Sequence, residues 1–157
     1  MKPFKDLKTQ FPVAVESDWH QHANGDGWVE NTATVDTTAF VGPDAMVCGN
    51  AVVYGYAQVF GDAQVCGNAV VRGDALVYGN ATVCGNAVVC NNAVVRGNAV
   101  VRGDALVFGD AQVCGNAVVR GDALVYGNAL VCGDALVCGY ARVSGDVVVC
   151  DNALVSQ

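Results

Sequence analysis

Histidine, serine and basic residues are scarce in this chain of 157 residues, and each scarcity excludes a class of function. The only histidines are His20 and His22, close to the N-terminus. The chain has three serines and no GxxxxGK(S/T) or GxSxG motif, so neither a phosphate-binding loop nor a serine nucleophile is indicated. The sequence therefore predicts no catalytic residue, no cofactor and no metal ligand.

Clustered positive charge and long apolar runs are also missing. Lys and Arg number 8 and Asp and Glu 15, a net charge of −7, whereas nucleic-acid binding needs clustered cations. Gly, Asn or Asp interrupts every apolar stretch, so none reaches the roughly 18 residues of a membrane helix. Residues 1–15 contain no continuous apolar run of the kind found in secretory signals. We expect a cytoplasmic protein that binds neither nucleic acid nor membranes.

What the chain does contain is a strict six-residue repeat. Valine recurs at every sixth position from Val29 to Val155, in 22 hexads without insertion or deletion. Alanine stands two positions before each valine from Ala33 to Ala153, except at Val147. Glycine usually stands two positions after the valine, and the next position is Asn or Asp in 17 of 21 hexads. The repeating unit is therefore Ala-x-Val-x-Gly-Asn/Asp.

This unit predicts a short strand followed by a bend. Residues two apart in a strand point to the same side, so Ala and Val face inward and the x residues face outward. Gly, Asn and Asp tolerate the left-handed backbone that a bend requires. A single hexad cannot bury its own apolar residues, so coils must stack. We expect triangular 18-residue coils, each made of three hexads; a flat 12-residue coil is the alternative.

The repeat resembles that of a known family. Residues 47–51, Val-Cys-Gly-Asn-Ala, show an aliphatic residue with a small residue four positions later. In this respect residues 28–157 are similar to the hexapeptide-repeat left-handed β-helix family, the trimeric hexapeptide-transferase-like superfamily. The regular form looks like that of its uncharacterised bacterial and phage-borne members. The resemblance implies an all-β, left-handed parallel β-helix over residues 28–157, with residues 1–27 as a short irregular cap.

The family resemblance says less about activity. The fold carries acyltransferases, γ-class carbonic anhydrases and non-catalytic proteins alike. The acyltransferases typically use a histidine that projects from the coils, and the carbonic anhydrases place three histidines on zinc. No histidine follows His22 here, so neither site can be transferred to this chain.

Outward positions fall into columns when the sequence is folded into coils of three hexads. Like side chains stack, and two columns contain runs of three cysteines; these are Cys48, Cys66, Cys84 and Cys114, Cys132, Cys150. We interpret such columns as ladders that hold the register of the coils. A spacing of about 4.8 Å between coils permits disulfides, but a cytoplasmic protein favours reduced thiols. A thiolate metal site lacks the histidine partners and CxxC spacing of zinc motifs.

One outward column is apolar over five successive coils. It consists of Val52, Val70, Val88, Leu106 and Leu124, and it is bordered by Tyr54, Phe108 and Tyr126. Large exposed apolar patches usually mark contact surfaces, so these eight residues are predicted to form a self-association face in a homodimer or homotrimer. Ice binding would require regular ranks of threonine. Beyond Phe40, the outward positions contain only Thr82.

An internal duplication supports the interpretation of the repeats as generic scaffold. Residues 60–81 recur identically at 108–129. The offset is eight hexads, which is not a whole number of three-hexad coils, so the copy lies on different faces of the prism. A catalytic group at one edge would not keep its place through such a shift.

The segment before the repeats has two interpretations. On a strand, His20 and His22 would point the same way and could share a metal with Asp18 or Asp26. Alternatively, the segment is a polar loop leading into the first coil, with Trp19 and Trp28 covering the open end of the core.

Acidic residues recur at the corners of the predicted coils. Asp44 with Asp62, and Asp104 with Asp122, would stack one coil apart as like charges. They could bind Ca²⁺, although water and neighbouring asparagines would solvate them more simply.

Three functions are consistent with these features. The first is a non-catalytic, self-associating β-helix scaffold or a protein- or ligand-binding module, whose partner is another copy of the chain or another protein. The second is an acyltransferase-like enzyme with a site between subunits that uses His20 or His22. The third is an acidic mimic or ligand-sequestering protein, for instance one encoded by a phage.

Overall fold

A computed structural model describes residues 3–157 and has the predicted triangular solenoid. Strands of the repeats pair in parallel with the strands three hexads away, so that Val47 lies beside Val65 and Val83 beside Val101. About seven coils stack in this way, and their strands form three sheets. The 18-residue coil is thereby confirmed and the 12-residue alternative is wrong.

Each sheet takes every third strand of the chain, and we call the three sheets A, B and C. Sheet A contains β1 (Trp19–Gln21), β2 (Trp28–Glu30), β5 (Met46–Val47), β8 (Gln64–Val65), β11 (Thr82–Val83), β14 (Val100–Val101), β17 (Val118–Val119), β20 (Leu136–Cys138) and β23 (Leu154–Ser156). Sheet B contains β3 (Thr34–Val35), β6 (Val52–Val53), β9 (Val70–Val71), β12 (Val88–Val89), β15 (Leu106–Val107), β18 (Leu124–Val125) and β21 (Arg142–Val143). Sheet C contains β4 (Phe40–Val41), β7 (Gln58–Val59), β10 (Leu76–Val77), β13 (Val94–Val95), β16 (Gln112–Val113), β19 (Leu130–Val131) and β22 (Val148–Val149).

The core is a column of valine and alanine. Every repeat valine from Val41 to Val137, and every repeat alanine from Ala39 to Ala141, is completely buried. Pleating alternates the side chains, so each residue next to an inward valine points outward. The six-residue repeat therefore fixes both the core and the composition of the three outer faces.

Corners hold the coils at close distance. The corner glycines have positive φ, and at two of the corners without glycine Asn91 and Asp151 adopt φ of 61° and 60°. The next residue donates its backbone N–H across the coils, as from Asn50 to the carbonyl of Gly67 at 2.8 Å. These bonds satisfy backbone groups that would otherwise be left unpaired at a bend.

Asparagine side chains link successive corners into hydrogen-bonded ladders. The Asn68 amide donates to Asn86 at 3.1 Å, and Asn86 donates to the Asp104 carboxylate at 2.9 Å. A second ladder runs from Asn80 through Asn98 and Asn116 to Asp134. The carboxylates of Asp104 and Asp134 thus receive amide donors from the preceding coil, in the way considered from the sequence for corners with a neighbouring asparagine.

The N-terminal segment differs from the expected irregular cap. It forms α1 (Phe4–Gln10), a 3₁₀ turn (Glu16–Asp18) and β1, which pairs antiparallel with β2 at the N-terminal edge of sheet A. Residues 1–2 of the predicted cap lie outside the described residues. Among residues 3–157 no helix is long and apolar enough to cross a membrane.

Trp19 and Trp28 do not cover the open end of the valine core as expected. Together with Leu7, Met46 and Cys48 they form a second apolar cluster, separate from that core. The reason is the pleat: Trp28 immediately precedes the inward Val29, so its side chain points outward. The segment therefore packs its apolar residues on the outer side of sheet A, where Phe4 meets Trp28 edge-on with ring centroids 5.5 Å apart.

Candidate functional site

Sheet B carries the predicted apolar column on its outer face. The five residues are paired in register, with Val70 between Val52 and Val88 and with Leu106 beside Leu124. All five are half-buried by their own neighbours. On the same sheet Phe108 stacks on Tyr126 with ring centroids 4.9 Å apart, and Tyr54 is exposed. The eight residues named from the sequence thus lie on one face.

The other two faces carry shorter apolar columns. On sheet C, Gln58 and Gln112 interrupt the column. On sheet A, the N-terminal segment covers Trp28 and Met46, and an apolar run resumes further along the prism. That run comprises Val100, Val118, Leu136 and Leu154. Sequence reasoning did not single it out, although it has the same position before the inward valine.

The two histidines have different hydrogen-bond partners. Asn31 donates its amide to the Ser17 carbonyl at 2.9 Å, which leaves its Oδ1 to accept from His20 Nδ1 at 2.8 Å. His22 is buried and donates from Nε2 to the Ala39 carbonyl at 3.0 Å. Within residues 3–157 no three His, Cys, Asp or Glu side chains are grouped to hold a metal ion. The structure therefore does not assemble the metal site considered for this segment.

A small cavity lies where the N-terminal segment meets sheet A. Its volume is about 160 Å³, and its lining includes Phe11, Trp19, Glu30 and Cys48. Neither histidine lines it. The cavity instead opens beside the first thiol of a cysteine column.

The three thiols of the first cysteine column, Cys48, Cys66 and Cys84, differ in exposure and in pKa. Cys48 is 8% exposed because the N-terminal segment covers it, whereas Cys66 and Cys84 are half-buried. A hydrogen bond with Cys48, together with a weaker one with Cys84, lowers the pKa of Cys66 to about 7 against the effect of burial. The same hydrogen bond with Cys66, and burial, raise the pKa of Cys48. Burial raises the pKa of Cys84 as well.

The second cysteine column contains a disulfide. Cys132 and Cys150 are bonded, with their Cα atoms 4.5 Å apart, and Cys114 of the same column is free. The spacing between coils was expected to permit such a pairing, although reduced thiols were favoured for this chain. The physical reason is that stacking in register brings the Cα atoms of neighbouring coils within the range that a disulfide spans.

Comparisons with known proteins agree with this architecture. A family model described as YdcK Beta solenoid repeat matches residues 63–78, 75–91 and 111–127. No curated protein matches the chain in sequence. The chain is also similar to a crystal structure of a Bacillus cereus protein named as a candidate acetyltransferase. That similarity has 12% identity and a TM-score of 0.53, and it covers 77% of this chain and 70% of that one.

Identity this low shows a shared fold and carries no statement about activity. The matched repeats and the shared fold agree with the stacked 18-residue coils of a parallel β-solenoid.

Proposed function

We propose that this protein is a non-catalytic scaffold that associates with a second copy of itself through sheet B. The observation that carries the proposal is the unbroken column of five half-buried aliphatic residues, Val52 to Leu124, aligned in one sheet. Removing partly exposed apolar area from water contributes roughly 25 cal/mol per Å² to association.

The occupant is a second copy because the two surfaces match. Two identical faces have the same spacing between coils, so the ridges of one can pack between those of the other about a two-fold axis. The face carries little charge, and besides Asp36 its charged side chains are Arg72 and Arg142. Asp36 is the one acidic residue in the two outward columns of sheet B, and all later acidic residues lie at corners.

Val88→Asp tests the proposed face at the centre of the column. We expect the wild-type chain to sediment as a dimer at micromolar concentration, because a contact about a two-fold axis closes at two copies. The variant should be a monomer, because a carboxylate in an apolar contact has no partner. Analytical ultracentrifugation and light scattering measure both.

Val94→Asp is the matched control. Val94 is also half-buried and outward, one hexad further along, but it belongs to sheet C. It should leave the oligomer intact. A monomeric wild-type protein, or equal loss of association in both variants, would refute the proposed face. Turnover of acetyl-CoA that disappears in His20→Ala would refute the non-catalytic role.

A further inference from the structure

We propose that the thiol ladder Cys48, Cys66 and Cys84 is a site of hydroperoxide reduction, in which Cys66 is oxidised first and then forms a disulfide with either neighbour. The reaction consumes two thiols and does not regenerate them, so it is stoichiometric and compatible with a non-catalytic scaffold. It is independent of the self-association described above, because the ladder lies on sheet A and the association face on sheet B.

The geometry of the ladder repeats that of the bonded pair. The backbone N–H of Cys48 donates to the carbonyl of Val65 at 2.9 Å, and the backbone N–H of Cys66 donates to the carbonyl of Val83 at 2.9 Å. In the second column Cys132 donates to Val149 at 2.8 Å, and its thiol is bonded to Cys150. Neighbouring thiols in the ladder therefore share the register in which a disulfide already exists.

Because of the distances between the thiols, every disulfide in the ladder must include the central residue, Cys66. Cys48 and Cys84 are two coils apart, about 9.6 Å by strand spacing, which exceeds the Cα separation that a disulfide can bridge. Every disulfide within the ladder must then contain Cys66. A disulfide uses two of the three cysteines and leaves the third as a thiol. Because Cys66 is the neighbour of both Cys48 and Cys84, the bond can form with either of them.

The central position and the hydrogen bonds of Cys66 favour it as the attacking group. Cys48 is buried under the N-terminal segment, whereas Cys66, which packs against the same apolar cluster, and Cys84 are both half-buried. Its hydrogen bonds to two thiols stabilise the thiolate, in keeping with its lowered pKa of about 7. Thiolates, not thiols, are the nucleophiles in such reactions.

The reaction balances with a hydroperoxide as the oxidant. The Cys66 thiolate attacks the outer peroxide oxygen, the O–O bond breaks, and the leaving alkoxide or hydroxide takes a proton, which leaves a sulfenic acid. The thiol of Cys48 or Cys84 then attacks Cys66 Sγ. The S–O bond breaks, an S–S bond forms, and hydroxide combines with the thiol proton as water. Two thiols lose two electrons and the hydroperoxide becomes an alcohol or water.

The test is disulfide mapping of the full-length chain after reduction, removal of the reductant and treatment with hydrogen peroxide. Trypsin cleaves after Arg72, which separates Cys66 from Cys84 but leaves Cys48 and Cys66 in one peptide. We expect both a 48–66 loop and a 66–84 cross-link. Cys66 should react faster than Cys138, which is also half-buried but has no thiol among its column neighbours, Arg120 and Ser156.

Three variants separate the possible outcomes. Cys66→Ser should abolish every disulfide in the ladder, Cys48→Ser should leave the 66–84 link, and Cys84→Ser should leave the 48–66 loop. Far-ultraviolet circular dichroism before oxidation checks that each variant is folded. A 48–84 disulfide in Cys66→Ser, or equal oxidation rates at Cys66 and Cys138, would overturn the proposal.

Discussion

The corner residue of each hexad combines two separate constraints. Gly85 has φ of +70°, and a Cβ built on it would lie 2.9 Å from the backbone nitrogen of Gly103 in the next coil. Left-handed backbone costs an ordinary L-residue roughly 1–2 kcal/mol. The close approach adds a steric cost, since the neighbouring atom is backbone and cannot move aside as a side chain could.

Gly85→Ala should therefore lower the free energy of unfolding by more than the cost of the left-handed backbone alone. We expect a loss above about 2 kcal/mol, because alanine adds both the unfavourable φ and the contact with Gly103. Chemical denaturation followed by circular dichroism would measure it.

Gly145→Ala isolates the backbone contribution. Gly145 has φ of +69°, but a Cβ there would meet nothing within 4 Å. Its loss should be about 1–2 kcal/mol. Equal losses in the two variants would show that the coils separate enough to admit a Cβ, and that spacing does not constrain this position.

At the scale of secondary-structure elements, the strands are too short to stabilise one another alone. Most contain two residues, so links at the corners supplement the pairing. On the corner after sheet B, Asp74, Asn92 and Asp110 stack in order, and the Asn92 amide donates to Asp110 at 2.9 Å. Alternation of amide and carboxylate turns a potential row of like charges into a hydrogen-bonded ladder.

Asn92→Asp should reduce stability by roughly 0.5–1 kcal/mol at low ionic strength, because it removes a donor and places three carboxylates in a row. The loss should shrink in 1 M salt, where the screening length falls to about 3 Å. Urea denaturation at two salt concentrations would measure both effects.

Asn98→Asp is the appropriate comparison for the charge effect. Asn98 accepts from Asn80 and donates to Asn116, so no carboxylate lies directly above or below it. It should show a smaller loss with little dependence on salt. An identical salt dependence in both variants would contradict the explanation by like charges.

At the scale of the whole molecule, two apolar cores have different roles. The valine and alanine core runs along the prism, whereas the cluster around Leu7 joins the N-terminal segment to the outer side of sheet A. In a solenoid each coil contacts its neighbours only, so parts of the molecule can unfold separately. Docking of the segment should thus be separable from stability of the coils.

Leu7→Ala should loosen the N-terminal segment and leave the coils folded. Leu7 is completely buried, and its truncation should cost about 3 kcal/mol of docking. Both tryptophans of the chain, Trp19 and Trp28, belong to this cluster. Their fluorescence should therefore change at lower denaturant than the far-ultraviolet circular dichroism of the coils.

Val13→Ala serves as the control for this experiment, because Val13 is 91% exposed. It should leave both transitions unchanged. If fluorescence and circular dichroism shift together in Leu7→Ala, the segment and the coils form one cooperative unit.

The repeats could be interpreted from sequence because each hexad experiences nearly the same surroundings. The period placed Val53 and Ala57 in the core and Val52 on the outer face. The structure then decided that three hexads, and not two, make a coil and so align the cysteine columns. The N-terminal segment has no period. Nothing in its composition indicated whether Trp19 and Leu7 would cover an open end or the side of a sheet.

Sequence by itself determined the inward and outward side of every residue in the repeats, since pleating depends on backbone geometry that the period dictates. Only the tertiary structure decided which side chains of a column are covered by the N-terminal segment and which are bonded to the next coil. The N-terminal segment covers Cys48, Cys66 is half-buried between two thiols, and Cys132 is bonded to Cys150. Such differences arise from contacts between distant segments, which a local repeat does not encode.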